Sequence, residues 1–293
     1  MWSTPIDSTV NSGDNGRMTT EAATITVRDY HFGLPQDKVR TWYDGKVEQT
    51  LFSNALSIMF PEGERFFIKS VRAFAANIKD PKLKEDVQKF IRQEALHTRE
   101  HVEYNEALEA AGYDLPKLEG YVKSILGWVN EHTGPIEQLA VTCALEHFTS
   151  LMAREFMTGD RYLKNADPAF KRLWSWHALE EMEHKSVSYD TFVTVAGNTG
   201  YPTRVIVMFA TTVIFLERIV KIVGEMMKSD GMGLTSRFKL AWFLFGKPGF
   251  MRRLILPYLR YYKPGFKPED IDDVAQLQRG FVQSGAAAAA AAA

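Results

Sequence analysis

Two stretches of this chain repeat one spacing, and that repetition limits what it can fold into. In WSWHALEEMEHKSVSYD (Trp174 to Asp190), His177, Glu181 and His184 follow one another at steps of four and three residues. On an α-helix those steps place all three side chains on one face. In QEALHTREH (Gln93 to His101) the same Glu-x-x-His spacing returns at Glu94 and His97, with His101 one turn further on. No other Glu-x-x-His pair occurs in the chain. Carboxylates and imidazoles converging from a helical face suit a divalent metal better than a solvated surface.

The pattern around these stretches is helical almost throughout. From Val47, apolar residues recur at three and four residues through Phe74, interrupted by Pro61, which either opens a second helix or kinks a continuous one. Asp80-Pro81 marks the start of the next helix and Gly112 its end. A shorter helix with a loop occupies residues 113 to 133, and a third long helix runs from about Pro135 to Met157. Asp167-Pro168 opens a fourth, expected to continue to about Val195 before Gly197 to Gly200 stop it. No stretch of useful length alternates with the period of a strand. Four helices of more than twenty residues, each with Glu or Glu and His near its middle, describe an all-α four-helix bundle with a di-metal carboxylate core.

The expected ligands are Glu64, Glu94 and His97 from the first helix pair, and Glu146, Glu181 and His184 from the second, with His177 as a seventh. Glu62 rivals Glu64; the deeper position favours Glu64, whereas Glu62 can stabilise a first turn. Glu146 lies in the apolar setting LAVTCALEHF, where a carboxylate needs a partner. Glu180 is a candidate acceptor for the second ring nitrogen of a ligand histidine. His101, His147 and Tyr104 are outer-sphere or substrate-facing candidates, with a structural core role as the alternative for each. Cys143, the single cysteine, is assigned to packing.

Composition closes other routes. A net charge of −1 offers no footprint for nucleic acid, and one cysteine fits a reducing, cytoplasmic compartment. Residues 1 to 24 are rich in Ser, Thr, Asn and Gly, carry no signal-peptide apolar core, and read as a disordered tail in which Met18 is a rival start. Residues 25 to 46 read as an extended arm before the bundle at 47 to 200. Ala286 to Ala293 are set aside as a remnant or placeholder.

Residues 201 to 285 read as C-terminal helices packed on the bundle or on a membrane surface. The apolar run Val205 to Leu216 is too short to span a bilayer and is expected to be a buried helix. Residues 231 to 268 hold eight Lys or Arg and no Asp or Glu, interleaved with aromatics. That composition fits either peripheral contact with the inner face of an anionic membrane or a helical cap whose lysines reach water.

Taken together, FPEGERFF (Phe60 to Phe67), QEALHTREH, LEHFT (Leu145 to Thr149) and WHALEEMEHKSVSYD resemble a bacterial family described as predicted metal-dependent hydrolases, a ferritin-like group, over residues 25 to 270. The order His177, Glu181, His184 is also similar to that of the di-iron arylamine N-oxygenases, across that helix and the ligand plan. This likeness implies oxygen activation.

Two enzyme classes follow. The first is a di-iron oxidoreductase, with manganese as an alternative metal, that activates O2 to oxidise a small hydrophobic substrate. With no Rossmann-type glycine fingerprint, its electrons would come from a separate donor. The second is a hydrolase using a di-metal-activated water. Iron storage or a structural metal bundle is a third class, disfavoured by the arm and the C-terminal third. A homodimer is left open.

Overall fold

The structure is a computed structural model that describes residues 24–159, 161–197 and 200–285. The tail at 1–23 and the alanines at 286–293 lie outside the described residues. Every regular element among the described residues is helical. In chain order they are α1 (Val47–Arg72), α2 (Pro81–Ala110), α3 (Leu115–His132), α4 (Pro135–Phe156), α5 (Pro168–Glu183), α6 (Val187–Ala196), α7 (Gly200–Ser229), α8 (Leu234–Phe245), α9 (Phe250–Arg260) and α10 (Val274–Gln283).

Local chemistry sets most boundaries. Asp80 accepts hydrogen bonds from the backbone N–H groups of Lys82 and Leu83, and Asp167 accepts one from Ala169, each with proline in the first turn. Gly112, at φ +97, lets the chain leave α2 while Tyr113 N–H closes back on the Leu108 carbonyl. Pro61 does not divide its helix: α1 runs continuously through it. The missing proline N–H would have bonded the Ser57 carbonyl, and the Asn105 side-chain amide donates to that carbonyl instead, at 3.0 Å. The broken turn of α1 is thereby tied to α2.

The fourth helix differs from expectation. It ends at Glu183, His184 is its cap residue, and α6 starts at Val187. Neither Gly nor Pro marks this break. It is held from outside, where Lys185 donates to the Ile271 carbonyl and the Asp273 carboxylate. α1 packs on α2 and α4, and α4 packs on α5 and α6, so the mid-helix acidic residues face one interior.

Residues 24–35 precede the helices without regular structure, but the arm is not extended throughout as expected: a 3-10 turn at Gln36–Lys38 is followed by hydrogen-bonded turns through 39–45, where Gly45 N–H closes on the Thr41 carbonyl. The arm is part of the core: Trp42 stacks on Phe170 at 5.2 Å, and its indole N–H donates to Asn54 Oδ1. α7 corrects the reading of Val205 to Leu216 as a buried helix. Met208, Thr211 and Phe215 are buried, but Ile206, Phe209 and Val213 on another face are more than half exposed.

Candidate metal centre

Glu64, Glu94, His97, Glu146, His177, Glu181 and His184 are all buried, none more than 3% exposed. Six of them come from positions inside α1, α2, α4 and α5, and the cap residue His184 swings in at the end of α5. Their donor atoms fall into overlapping trios, each within 4.8 Å: Glu64 with Glu94 and His97, Glu94 with Glu146 and His184, and His97 with His177 and Glu181. His184 Nε2 lies 3.2 Å from Glu94, 3.4 Å from Glu146 and 3.6 Å from Glu181. Glu181 also lies 3.0 Å from His177 Nε2. Glu94 and Glu181 therefore face both ends of the cluster.

Buried polar atoms are normally hydrogen-bonded. Here both oxygens of Glu64, Glu94 and Glu146 have no hydrogen-bond partner, nor do Glu181 Oε2, His97 Nδ1, His177 Nε2 and His184 Nε2. The other nitrogen of each histidine is held from behind. His97 Nε2 meets Glu180 at 3.1 Å, and His184 Nδ1 meets Gln93 Oε1 at 3.0 Å. His177 Nδ1 meets His101 Nε2 at 2.9 Å. Acceptors behind the rings favour tautomers whose unprotonated nitrogen would face a bound cation, the arrangement a metal-binding histidine uses; without a cation, Glu146 and Glu181 outweigh burial and raise His184 well above the ordinary imidazole value. The donor set therefore fits divalent cations.

The line behind His177 continues without a conflict of donors. With His177 Nδ1–H donating to His101, His101 Nδ1–H donates to Ser57 Oγ at 2.9 Å. Ser57 O–H donates to Asn105 Oδ1 at 2.8 Å, and Asn105 returns its amide to the Ser57 carbonyl that Pro61 left open.

Crowded acids and imidazoles shift one another. Burial, followed by the neighbouring carboxylates, pushes Glu94 well above the usual range, and burial likewise raises Glu64. Burial raises Glu146 to about 7, against the pull of His184. Glu181 stays well below the usual range: burial acts upward, but the close imidazoles of His177 and His184 outweigh it. Burial and the neighbouring His177 push His97 well below the ordinary imidazole value, keeping it neutral. Aromatic rings close the cluster, with Phe60 stacked on His177 at 4.7 Å, Trp176 edge-on to His97 at 4.7 Å and Phe90 edge-on to His184 at 4.9 Å.

The rivals separate by position. Glu62 is outside, ion-paired with Arg65 at 2.7 Å. Glu180 stands where a second-nitrogen acceptor was expected, with Arg28 of the arm 3.3 Å away; burial nevertheless raises it to about 8. His101 lies behind His177. His147 packs against Tyr261 and Phe266, away from the cluster. Tyr104 donates to Asn54 Oδ1 at 2.6 Å and stacks with His101 at 6.1 Å. Gln93, Ser57, Asn105 and Arg28 escaped the sequence reading. Asn105, one turn beyond His101, had a spacing signal, whereas Ser57 and Arg28 had none.

Compared with known families, residues 26–272 match the model of the predicted metal-dependent hydrolases. The chain belongs to that family. No curated protein and no solved structure matches the chain. Membership in the predicted metal-dependent hydrolases agrees with a buried carboxylate and imidazole cluster able to hold metal.

Proposed function

We propose that this chain is a two-metal hydrolase acting on a small hydrophobic substrate. The observation that carries the reading is the ring of inward-facing oxygens and nitrogens without partners, double-ended at Glu94 and Glu181. The family description supports hydrolysis. Bound in this ring, a pair of divalent cations supplies a water of lowered pKa and a Lewis acid for the scissile bond. Glu64, Glu94, Glu146 and Glu181 would offset the cationic charge, Glu94 and Glu181 each lying near more than one of the other donors. His97, His177 and His184 would be the nitrogen donors, held in register by Glu180, His101 and Gln93. Water would be split across the substrate bond, its hydroxyl going to the electrophilic centre and its remaining proton to the leaving group.

A cavity of about 230 Å³ suits the apolar part of such a substrate. Its wall includes Phe60 and Gly63 of α1, Leu145 and Thr149 of α4, and Ile214 and Phe215 of α7. Phe60 has its ring on His177, so the cavity adjoins the cluster.

Oxidation of the substrate by O2 at two iron ions, or manganese, with electrons from a separate donor, is the second reading. It is favoured by one feature, a fully buried and aromatic-walled site with no aspartate in its donor set. Metal analysis tests the common basis: about two ions per chain are expected in the parent and fewer than about one in Glu94→Ala and His184→Ala. Mn- or Zn-supported ester cleavage identifies the hydrolase. A transient visible band on giving O2 to the ferrous-loaded protein, without such cleavage, identifies the oxidase.

A further inference from the structure

We infer that the outer face of α7, α8 and α9 is a docking surface for an anionic lipid membrane. α8 buries none of its residues, and Leu234, Phe238, Trp242 and Phe245 recur along it at helical spacing, Phe238 68% exposed. α9 adds Ile255, Leu256 and Leu259, with Leu256 77% exposed. α7 adds Ile206, Phe209, Val213 and Val220. The helices adjoin one another: Phe243 of α8 stacks with Phe250 of α9 at 6.0 Å, and Tyr258 of α9 hydrogen-bonds Thr212 of α7 at 2.8 Å. Exposed apolar surface on this scale marks an interaction site.

Charge selects the occupant. Between residues 231 and 268 there are eight basic residues and no acidic one, in a chain whose net charge is −1. Arg237 and Lys239 of α8, Arg252 of α9, and Lys247 and Lys263 in the turns beside them are exposed, Lys239 also lying 3.7 Å from Glu48 of α1. On α7, Glu217 is paired with Arg218 at 2.9 Å. Exposed cations interleaved along the chain with exposed aromatic and aliphatic side chains match a surface with anionic headgroups above acyl chains. No helix among the described residues is long and apolar enough to cross a membrane, so the contact is peripheral.

The apolar cavity opens on the same side. Ile206 of α7 and Trp128 of α3 belong both to its wall and to the exposed surface. A hydrophobic molecule dissolved in the bilayer would enter the cavity at its mouth without crossing water. This last point rests on the substrate reading above; the docking surface does not.

The test is co-sedimentation of the full chain with phosphatidylcholine vesicles and with vesicles containing phosphatidylglycerol, at low and high salt. Binding is expected to the phosphatidylglycerol vesicles, weakening with salt. Phe238→Glu and Leu256→Glu should each weaken it about tenfold or more through lost apolar burial. Arg237→Glu should weaken it about fivefold or more per charge removed. Circular dichroism confirms that each variant keeps its helices, and the charge variant serves if an apolar one misfolds. Absence of binding to phosphatidylglycerol vesicles, or equal binding by parent and variants, overturns the proposal. So does light scattering showing a dimer that the same substitutions dissociate, which would give the face to a second copy. Loss of hydrolysis with vesicle binding retained counts only against the enzymatic reading.

Discussion

Glu146 shows how closely the metal and the fold are linked at single residues. Burial raises its carboxyl from an unfolded value of 4.5 to about 7. Between those values the folded, metal-stripped chain keeps a proton that the unfolded chain has released. Its contribution is therefore a stability present at low pH and lost as pH rises through about 7. Glu146→Gln stays neutral throughout. In metal-stripped protein, urea denaturation should show the variant gaining on the parent between pH 5 and pH 8, on the order of 2 kcal/mol by the upper end. With divalent metal added the order should reverse, since the carboxylate then has its counter-charge. Residues behind the ligands act through orientation instead. Gln93→Ala and Glu180→Gln remove or weaken the acceptors of His184 and His97. Chelator competition should show metal affinity falling about 10- to 100-fold in each, with helix content unchanged.

Between elements, the most informative joint is that of α1 with α2. Pro61 opens a gap in the α1 hydrogen-bond ladder, and Asn105 fills it while also receiving the Ser57 hydroxyl. Asn105→Ala leaves a buried carbonyl and hydroxyl without that partner, and should cost about 1–3 kcal/mol in urea denaturation. Pro61→Ala restores the backbone donor to the Ser57 carbonyl. The double variant should then lose less than the sum of the two single ones, a coupling of about 1 kcal/mol in a double-mutant cycle. Additive losses would mean that Asn105 and the proline gap act independently. The α5–α6 break belongs to this scale too, because it frees His184 to turn inward while Lys185 is held by Asp273.

For the molecule as a whole, the N-terminal arm closes the site from outside. Arg28 reaches Glu183 at 2.7 Å and Glu180 at 3.3 Å, with side chains that are nearly or fully buried. Arg28→Ala would strand two acids in a low-dielectric setting. A loss of about 3 kcal/mol is expected on urea unfolding. Faster proteolytic cleavage within residues 25–46 should accompany it. An unchanged unfolding midpoint would show that the arm does not stabilise the bundle through this contact.

Some of this was readable along the chain because it depends on neighbours in sequence. The Asp-Pro helix starts, the end at Gly112 and the shared face of Glu94 and His97 all follow from local backbone geometry. That Glu64 lies in the core and Glu62 toward solvent was also legible, since two residues along a helix turn a side chain from one to the other. Other features depended on residues far apart in sequence. The halt of α5 at Glu183 has no glycine or proline to announce it, being held by Lys185 contacts nearly ninety residues away. The inward and outward directions of His101 and His147 follow from which helix packs beside each one. The exposure of Ile206 and Phe209 likewise reflects a lack of covering helix, not their own hydrophobicity. Helical period determines which side chains share a face; only the packing of distant helices determines which faces meet, and therefore which donors converge.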